Sequence, residues 1–291
     1  MPNDVAFFPA ACEMLPITIG AMAQFREFVS QIYLRRPPFL SRLRTTPVLG
    51  SLIHYVSHKV LPSNFQVWHE IGAGAAKGLW IKINPRTGRE ICEGVVEPQT
   101  QKVLVEHLRP GMVFYDAGAN VGLFTLAAAR LVGERGKVFS FEPDAEVARR
   151  LRENASYNGF VWVSVLEVAL SSHEGEVLFA RADASVSPDR GVGRIVETGK
   201  AHSAISVHAT TLDDFSRDHP IPDLLKCDVE GAEVDVLRGA VGLLARYHPR
   251  IICELHSPEC EMGVRRILEQ HSYSLRRLDE NHFFAEAAAI E

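Results

Sequence analysis

Apolar residues change their period along this chain, and each change marks a different element. From Ile19 to Arg36 the residues Met22, Phe25, Phe28, Val29, Ile32 and Tyr33 recur at helical spacing, and Pro37-Pro38 stops the run. A second helix is predicted from Val48 to Val60, ended by Pro62. Residues 65–71 and 79–83 read as short strands around a Gly-rich turn, and Asn84-Pro85-Arg86-Thr87-Gly88 is a turn signal. Residues 1–94 therefore read as an N-terminal helical segment with a small β-element.

From residue 98 the texture becomes strand, then helix, repeated. Pro98 to His107 is a predicted helix ended by Pro110-Gly111. Strands follow at 112–116, 138–142 and 161–168, with helices over Leu123–Leu131 and Asp144–Asn158 between them. The alternation breaks at 171–210, a Gly- and Ser-rich insert with two strands near 176–180 and 205–209. It resumes with a strand at 224–228, a helix over 233–246, a strand at 251–255 and a helix near 259–271. Two strands, near 273–278 and 282–286, close the chain. Such alternation implies a parallel sheet covered on both faces, and a closing pair without a helix implies an antiparallel edge strand. The expected architecture is an α/β, Rossmann-like domain over 95–291.

Composition narrows the class. The chain has 291 residues, 46% hydrophobic and 23% charged, which is ordinary for a globular protein. A net charge of −5 gives no basic excess for phosphate backbones, so a nucleic-acid partner is not expected. The five cysteines, at 12, 92, 227, 253 and 260, are odd in number and form no CxxC, which fits a reducing cytoplasm. The N-terminus lacks a basic leader, and no window approaches 18 uninterrupted apolar residues, so neither a signal peptide nor a transmembrane segment is expected. The stripe from Met22 to Tyr33, beside Arg35, Arg36, Arg42 and Arg44, is expected to serve as a substrate cover or homodimer contact. A peripheral membrane role is the competing reading.

Candidate chemistry begins at DAGANVG, 116–122, where a buried strand turns into a helix. Gly118 and Gly122 permit a sharp turn and close approach of a ligand, at the strand end where open α/β sheets bind. Glu142 ends the next strand, twenty residues past Gly122, where a carboxylate can accept both ribose hydroxyls. These features suit any nucleoside ligand. The G-x-N-x-G spacing differs from a dinucleotide loop, and Asp116 directly before it would repel a pyrophosphate. The same carboxylate suits the ammonium of a methionine moiety, and Asn120 offers it a donor and an acceptor. S-adenosylmethionine is therefore the expected cofactor. An NAD-dependent oxidoreductase and a nucleoside-binding regulator without turnover remain as alternatives.

Acceptor-side candidates come from LLKCDVEGAEVDVLRGA, 224–240, and ICELHSP, 252–258. Asp228 ends a strand expected beside the first one, and Glu230 lies in the following loop. Glu233 opens a helix whose expected buried stripe is Val234, Leu237, Val241 and Leu244. Lys226, within an apolar strand, needs an acidic partner. Glu254 and His256, two apart at a strand end, face one side and suit proton transfer. His256 taking a proton, with Asp228 orienting it or the acceptor, is the favoured mechanism. A divalent metal on Asp228, Glu230 and Glu254 is the rival and is not favoured.

At these residues the chain resembles the FkbM-type family of S-adenosylmethionine-dependent methyltransferases. The resemblance rests on Glu97-Pro98 before a helix, DAGANVG, FEP at Glu142, TLDDF, KCDVEGAEVDVLRGA and PRIICELH, over about residues 94–257. It implies a seven-stranded class I methyltransferase fold and methylation of a hydroxyl on a sugar, glycolipid or natural product. It also implies that Glu97 helps bind the donor. Cys227 departs from the pattern, where a second apolar residue is common.

Overall fold

The computed structural model describes residues 21–35, 46–62, 64–181, 193–196 and 204–288. The chain divides into two compact units, Met1–Leu61 and Pro62–Glu291. In the first unit, α1 (Ala21–Arg35) and α2 (Pro47–Val60) form where apolar spacing predicts them. Pro47 opens α2, a position where its missing N–H costs nothing. Tyr33 and Leu34 of α1 are buried, while Phe25 and Phe28 are exposed. Ile19, Arg36, Arg42 and Arg44, and the side chains of Met22 and Arg35, lie outside the described residues. No helix among the described residues is long and apolar enough to cross a membrane.

The second unit opens with an antiparallel pair, β1 (Val67–Glu70) and β2 (Trp80–Ile83), then α3 (Arg89–Glu93) and α4 (Pro98–His107). Two strand–helix steps follow: β3 (Val113–Ala117), α5 (Leu123–Val132), β4 (Lys137–Phe141) and α6 (Ala145–Tyr157). Next come β5 (Val163–Leu166), β6 (Ala169–Leu170), β7 (Gly175–Ala180), β8 (Arg194–Val196) and β9 (Ala204–Thr210). The remainder is α7 (Leu212–Asp218), β10 (Leu224–Cys227), α8 (Glu233–Arg238), α9 (Val241–Tyr247), β11 (Arg250–Glu254), α10 (Pro258–Gln270), β12 (Tyr273–Arg277) and β13 (His282–Ala287).

The main sheet has the order β12-β13-β11-β10-β3-β4-β5. β13 runs antiparallel to both neighbours, and the β11–β10–β3–β4–β5 pairs are all parallel. This is the seven-stranded, mostly parallel sheet of the class I methyltransferase fold. Its central strands are apolar on both faces because helices cover both, as for β3, where Phe114, Tyr115 and Ala117 are all buried. Tyr115 meets Phe139, Phe141 and Phe215 edge to face, with centroids 5.5, 5.6 and 5.5 Å away.

The β1–β2 pair is tied to α6 by side-chain amides. Asn158 Oδ1 accepts from the Trp80 amide at 2.9 Å and Asn154 Oδ1 from the Lys82 amide at 2.8 Å. These bonds occupy donors on the edge of β2 that would otherwise be open to another strand. Buried Gln101 fixes the approach to α4: its Oε1 accepts from the Ala75 amide at 2.7 Å, and its Nε2 donates to Gly94 and Val96 carbonyls.

Three expectations need correction. The helix over 233–246 is two helices, α8 and α9, because Gly239 packs on the Ser171 carbonyl so closely that a side chain there would overlap it. Asp213 then receives the new helix start, accepting from the Gly242 and Leu243 amides at 2.8 and 2.7 Å. The break resets the helical phase, so Val236 and Leu243 are buried in place of Val241, which is exposed. The strand at 161–168 shortens to Val163–Leu166 and is followed by β6. The described part of the 171–210 insert holds more than two strands: with β6 it builds a second sheet, ordered β6-β9-β7-β8.

Candidate functional site

The chain crosses over between β3 and β10, which lie side by side and parallel, and such a switch point opens a cleft at the strand ends. A cavity of about 390 Å³ occupies it. Its wall includes Gly118, Asn120, Gly122 and Glu142 on one side and Glu97, Asp228, Glu230 and Glu254 on the other. Phe179 and Ile195 of the second sheet also reach it.

Gly118 has φ +78, and a methyl on it would overlap the Asp228 carbonyl oxygen. The close approach joins the glycine loop to the end of β10. Gly118→Ala is expected to cost at least about 1–2 kcal/mol from the left-handed backbone alone, with the overlap in addition. A lowered urea midpoint together with weaker ligand binding would bear this out; an unchanged midpoint would show that the loop shifts freely.

Glu142 closes the loop from β4. Its Oε2 accepts from the Asn120 amide at 3.0 Å and its Oε1 from the Asp144 amide at 2.9 Å. Each oxygen keeps a second lone pair for a ligand hydroxyl. Burial raises the carboxyl to about 7, against the opposing pull of those two amides. Asn120 adopts φ +50, and its Oδ1 accepts from the Val121 amide at 2.8 Å.

Asp116 stands apart from this wall. It is fully buried beneath the loop, and its Oδ2 accepts from Thr125 Oγ1 at 2.6 Å. Thr125 in turn lies 2.8 Å from Ser140 Oγ, and Asp116 Oδ1 has no hydrogen-bond partner. Burial raises this carboxyl, although Lys226 opposes it.

Asp228 directly follows β10 and continues its alternation, so it lies on the same face as Lys226, whose Nζ donates to Asp228 Oδ2 at 2.6 Å. Burial alone would raise the Asp228 carboxyl, yet Lys226 outweighs it and holds Asp228 below the usual range. His256 gathers acids on both ring nitrogens. Its Nδ1 lies 2.9 Å from Glu233 Oε1, while Nε2 lies 3.3 Å from Glu230 Oε2, 3.7 Å from Asp228 Oδ1 and 4.0 Å from Glu254 Oε1. The Glu233 hydrogen bond, then the surrounding carboxylates, raise His256 to about 9 against the cost of burial. Burial also raises Glu230 to about 7, with His256 opposing and neighbouring acids adding. Glu254 and His256 thus face one another, as their spacing predicts. Cys227 is buried in the core, away from the cavity wall.

Three features were missed in the sequence. Glu233 is wholly buried and orients His256; it also accepts from the Gly231 amide at 2.9 Å and Cys260 Sγ at 2.9 Å. Its place at a helix start gave an ordinary explanation, and only the fold brings His256 to it. His282 lies across from Glu254 on β13, with Asp279 on its Nδ1 at 2.8 Å. Glu97 has φ +41 at the start of α4 and its side chain turns toward His282 rather than capping the helix. No local pattern marked His282, because Glu97 and Glu254 are distant in sequence, and Asp279 gains its role only through His282.

The Methyltransferase FkbM domain model matches residues 116–282. The chain is 26% identical over 180 residues to the hexuronic acid methyltransferase AglP of Haloferax volcanii, spanning 61% of this chain and 70% of that one. It is 28% identical over 195 residues to the 2-O-methyltransferase NoeI of Sinorhizobium fredii, spanning 61% and 79%. Against the crystal structure of a methyltransferase FkbM from Methylobacillus flagellatus the TM-score is 0.44 at 15% identity, covering 64% of this chain and 50% of that one. The family match takes in more than half of the chain, from Asp116 in the glycine loop to His282 on β13, and the chain accordingly belongs to the FkbM methyltransferase-domain family.

Proposed function

We propose that this protein is an S-adenosylmethionine-dependent O-methyltransferase whose acceptor is a hydroxyl of a sugar or a related polyhydroxylated molecule. One observation carries the reading: a single cavity is lined by a carboxylate suited to ribose, Glu142, and by Asp228 and Glu230, with His256 lying 3.3 Å from Glu230. The two relatives described above, a hexuronic acid methyltransferase and a 2-O-methyltransferase, support the acceptor class.

The residues present fit the donor. The cavity volume falls within the range of small-molecule sites. Gly118 lets the loop close against the end of β10, and Glu142 has lone pairs for two hydroxyls. Glu142 and Asn120 would hold the nucleoside end, with Gly118 and Gly122 shaping the loop. Asp116, one layer below, would support that loop through Thr125 and attract the ammonium through its charge. When bound, the donor supplies an electrophilic methyl group. The acceptor hydroxyl must lose a proton as it reacts, and the Glu230 carboxylate, with His256 beside it, would receive it. Glu233 would fix the imidazole's orientation and Asp228 would position the hydroxyl. Phe179 and Ile195 would exclude water from the opening.

The test is calorimetry with S-adenosylmethionine and, for comparison, NADH. Glu142→Ala should weaken S-adenosylmethionine at least about tenfold, because it removes two charge-assisted hydrogen bonds worth about 1.5–3 kcal/mol each. Unchanged affinity in a folded variant would end the ribose assignment. A pH series gives an independent check. Glu142 is raised to about 7, so its carboxylate predominates above that pH and is lost below it. Affinity should therefore weaken about tenfold from pH 8 to pH 6, and Glu142→Gln should flatten the dependence.

A further inference from the structure

Beside the proton-handling group lies a second cluster that methyl transfer, as described above, does not use. Glu97, Glu254 and His282 each offer one ligand atom, and these atoms all lie within 4.8 Å of one another. His282 Nε2 is 3.2 Å from Glu97 Oε2 and 3.5 Å from Glu254 Oε2. Metal–ligand bonds of about 2.0–2.2 Å put neighbouring ligands about 3.0–3.5 Å apart in octahedral or tetrahedral geometry. The two separations from His282 match those around one cation, and the two carboxylates lie within 4.8 Å of each other.

Two observations distinguish this cluster from an ordinary group of acids. His282 is 7% exposed, and beyond its ion pairs with Glu97 and Glu254 its buried Nε2 has no hydrogen-bond partner; Glu97 Oε2, the buried atom it faces, has none either. The other ring nitrogen, Nδ1, is held by Asp279 Oδ1 at 2.8 Å. A carboxylate on the outer nitrogen is the usual partner of a metal-binding histidine, because it fixes the tautomer and presents the inner lone pair. Glu97, at the start of α4, leaves its own helix uncapped to point here.

Charge supports the same conclusion. Lys226 bonds Asp228 at 2.6 Å and attracts Glu97 and Asp116 from further away, and His256 Nδ1 lies 2.9 Å from Glu233. His282 is then the nearest basic group to both Glu97 and Glu254, and it belongs to the same cluster. We propose that Glu97, Glu254 and His282 form a binding site for one first-row divalent cation of the manganese type, with Asp279 as its outer support. Mixed carboxylate and imidazole donors suit such an ion better than magnesium, which prefers oxygen alone. Glu97 and Glu254 also line the cavity, so the ion would face it with open positions. It would there bind adjacent hydroxyls of a polyhydroxylated acceptor; this last role rests on the methyl-transfer reading, whereas the site itself does not.

The test uses the full chain, stripped with EDTA and dialysed, and titrated with Mn²⁺ alone while electron paramagnetic resonance reads the free ion. One ion per chain is expected. Glu97→Gln and Glu254→Gln preserve side-chain shape and should each weaken binding at least tenfold, while Asp279→Asn should weaken it about tenfold through the outer support. Circular dichroism and urea midpoints confirm that each variant is folded. Absence of bound Mn²⁺, or binding unchanged in both glutamine variants, overturns the site in favour of a protonated His282 paired with the two acids. Donor affinity is measured separately by calorimetry without metal. Mn²⁺ binding without donor binding keeps the site and removes the methyl-transfer reading; donor binding without Mn²⁺ does the reverse.

Discussion

Glu230→Gln and His256→Ala should each lower methyl transfer by about 10²–10⁴ while leaving donor affinity nearly unchanged. An alcohol is a poor nucleophile at neutral pH, and the effect expected is that of losing a positioned proton acceptor. Glu230 lines the cavity, is raised to about 7 by burial, and lies 3.3 Å from His256 Nε2. His256, raised to about 9 by its bond to Glu233, is largely protonated at neutral pH. His256 thus stands as a charged hydrogen-bond donor beside Glu230, and the Glu230 carboxylate is the member able to accept the proton. The measurement needs a confirmed hydroxylated acceptor, with product followed by mass and donor binding by calorimetry. Full turnover in both variants would remove the acid–base proposal. A parallel loss of donor affinity would mean that the residues shape the cavity rather than handle the proton.

Lys226→Met should destabilise the fold by about 3–5 kcal/mol, the cost of leaving a buried charge without its partner. Lys226 is 2% exposed and bonds Asp228 at 2.6 Å, with its ammonium 4.7 Å from the centre of the Phe124 ring. Burial alone would lower this lysine, but Asp228, Glu97 and Asp116 outweigh it and hold it well above its usual range. Removing the ammonium leaves all three carboxylates without the positive charge they share. Urea denaturation reads the loss. The double variant Lys226→Met with Asp228→Asn should recover part of it, since both charges then go together. Wild-type stability in Lys226→Met alone would show that the acids are balanced by something else.

Much of the fold was legible because local physics specifies it. Pro98 to His107 forms the helix its spacing and its stop signal predict. The closing strands appear where a missing helix implied them, and β13 runs antiparallel. The glycine loop could be read because Gly118 and Gly122 need positive φ, a property of the residue itself. Lys226 with Asp228, and Glu254 with His256, could be read because a strand puts alternate residues on one face.

What was not legible depends on contacts between distant segments. The helix ends at Gly239, where the Ser171 carbonyl leaves no room for a side chain and Asp213 receives the next helix start, and only the fold brings those two residues there. Glu233 reads equally well as an acid at a helix start or as a partner of His256, and only the packing of α8 beside the end of β11 selects the second. Asp116 reads as a ligand of the donor, yet β3 buries it one layer below the cavity wall.

The sequence by itself determined the order of elements, the glycine loop and the same-face pairs on β10 and β11, because backbone period and conformational preference act over a few residues. Only the tertiary structure decided that Glu97, Glu254 and His282 meet. Those residues come from a helix start, a parallel strand and an antiparallel strand. Their approach is set by sheet register and helix packing, through which the whole core, rather than any local pattern, fixes the distance between them.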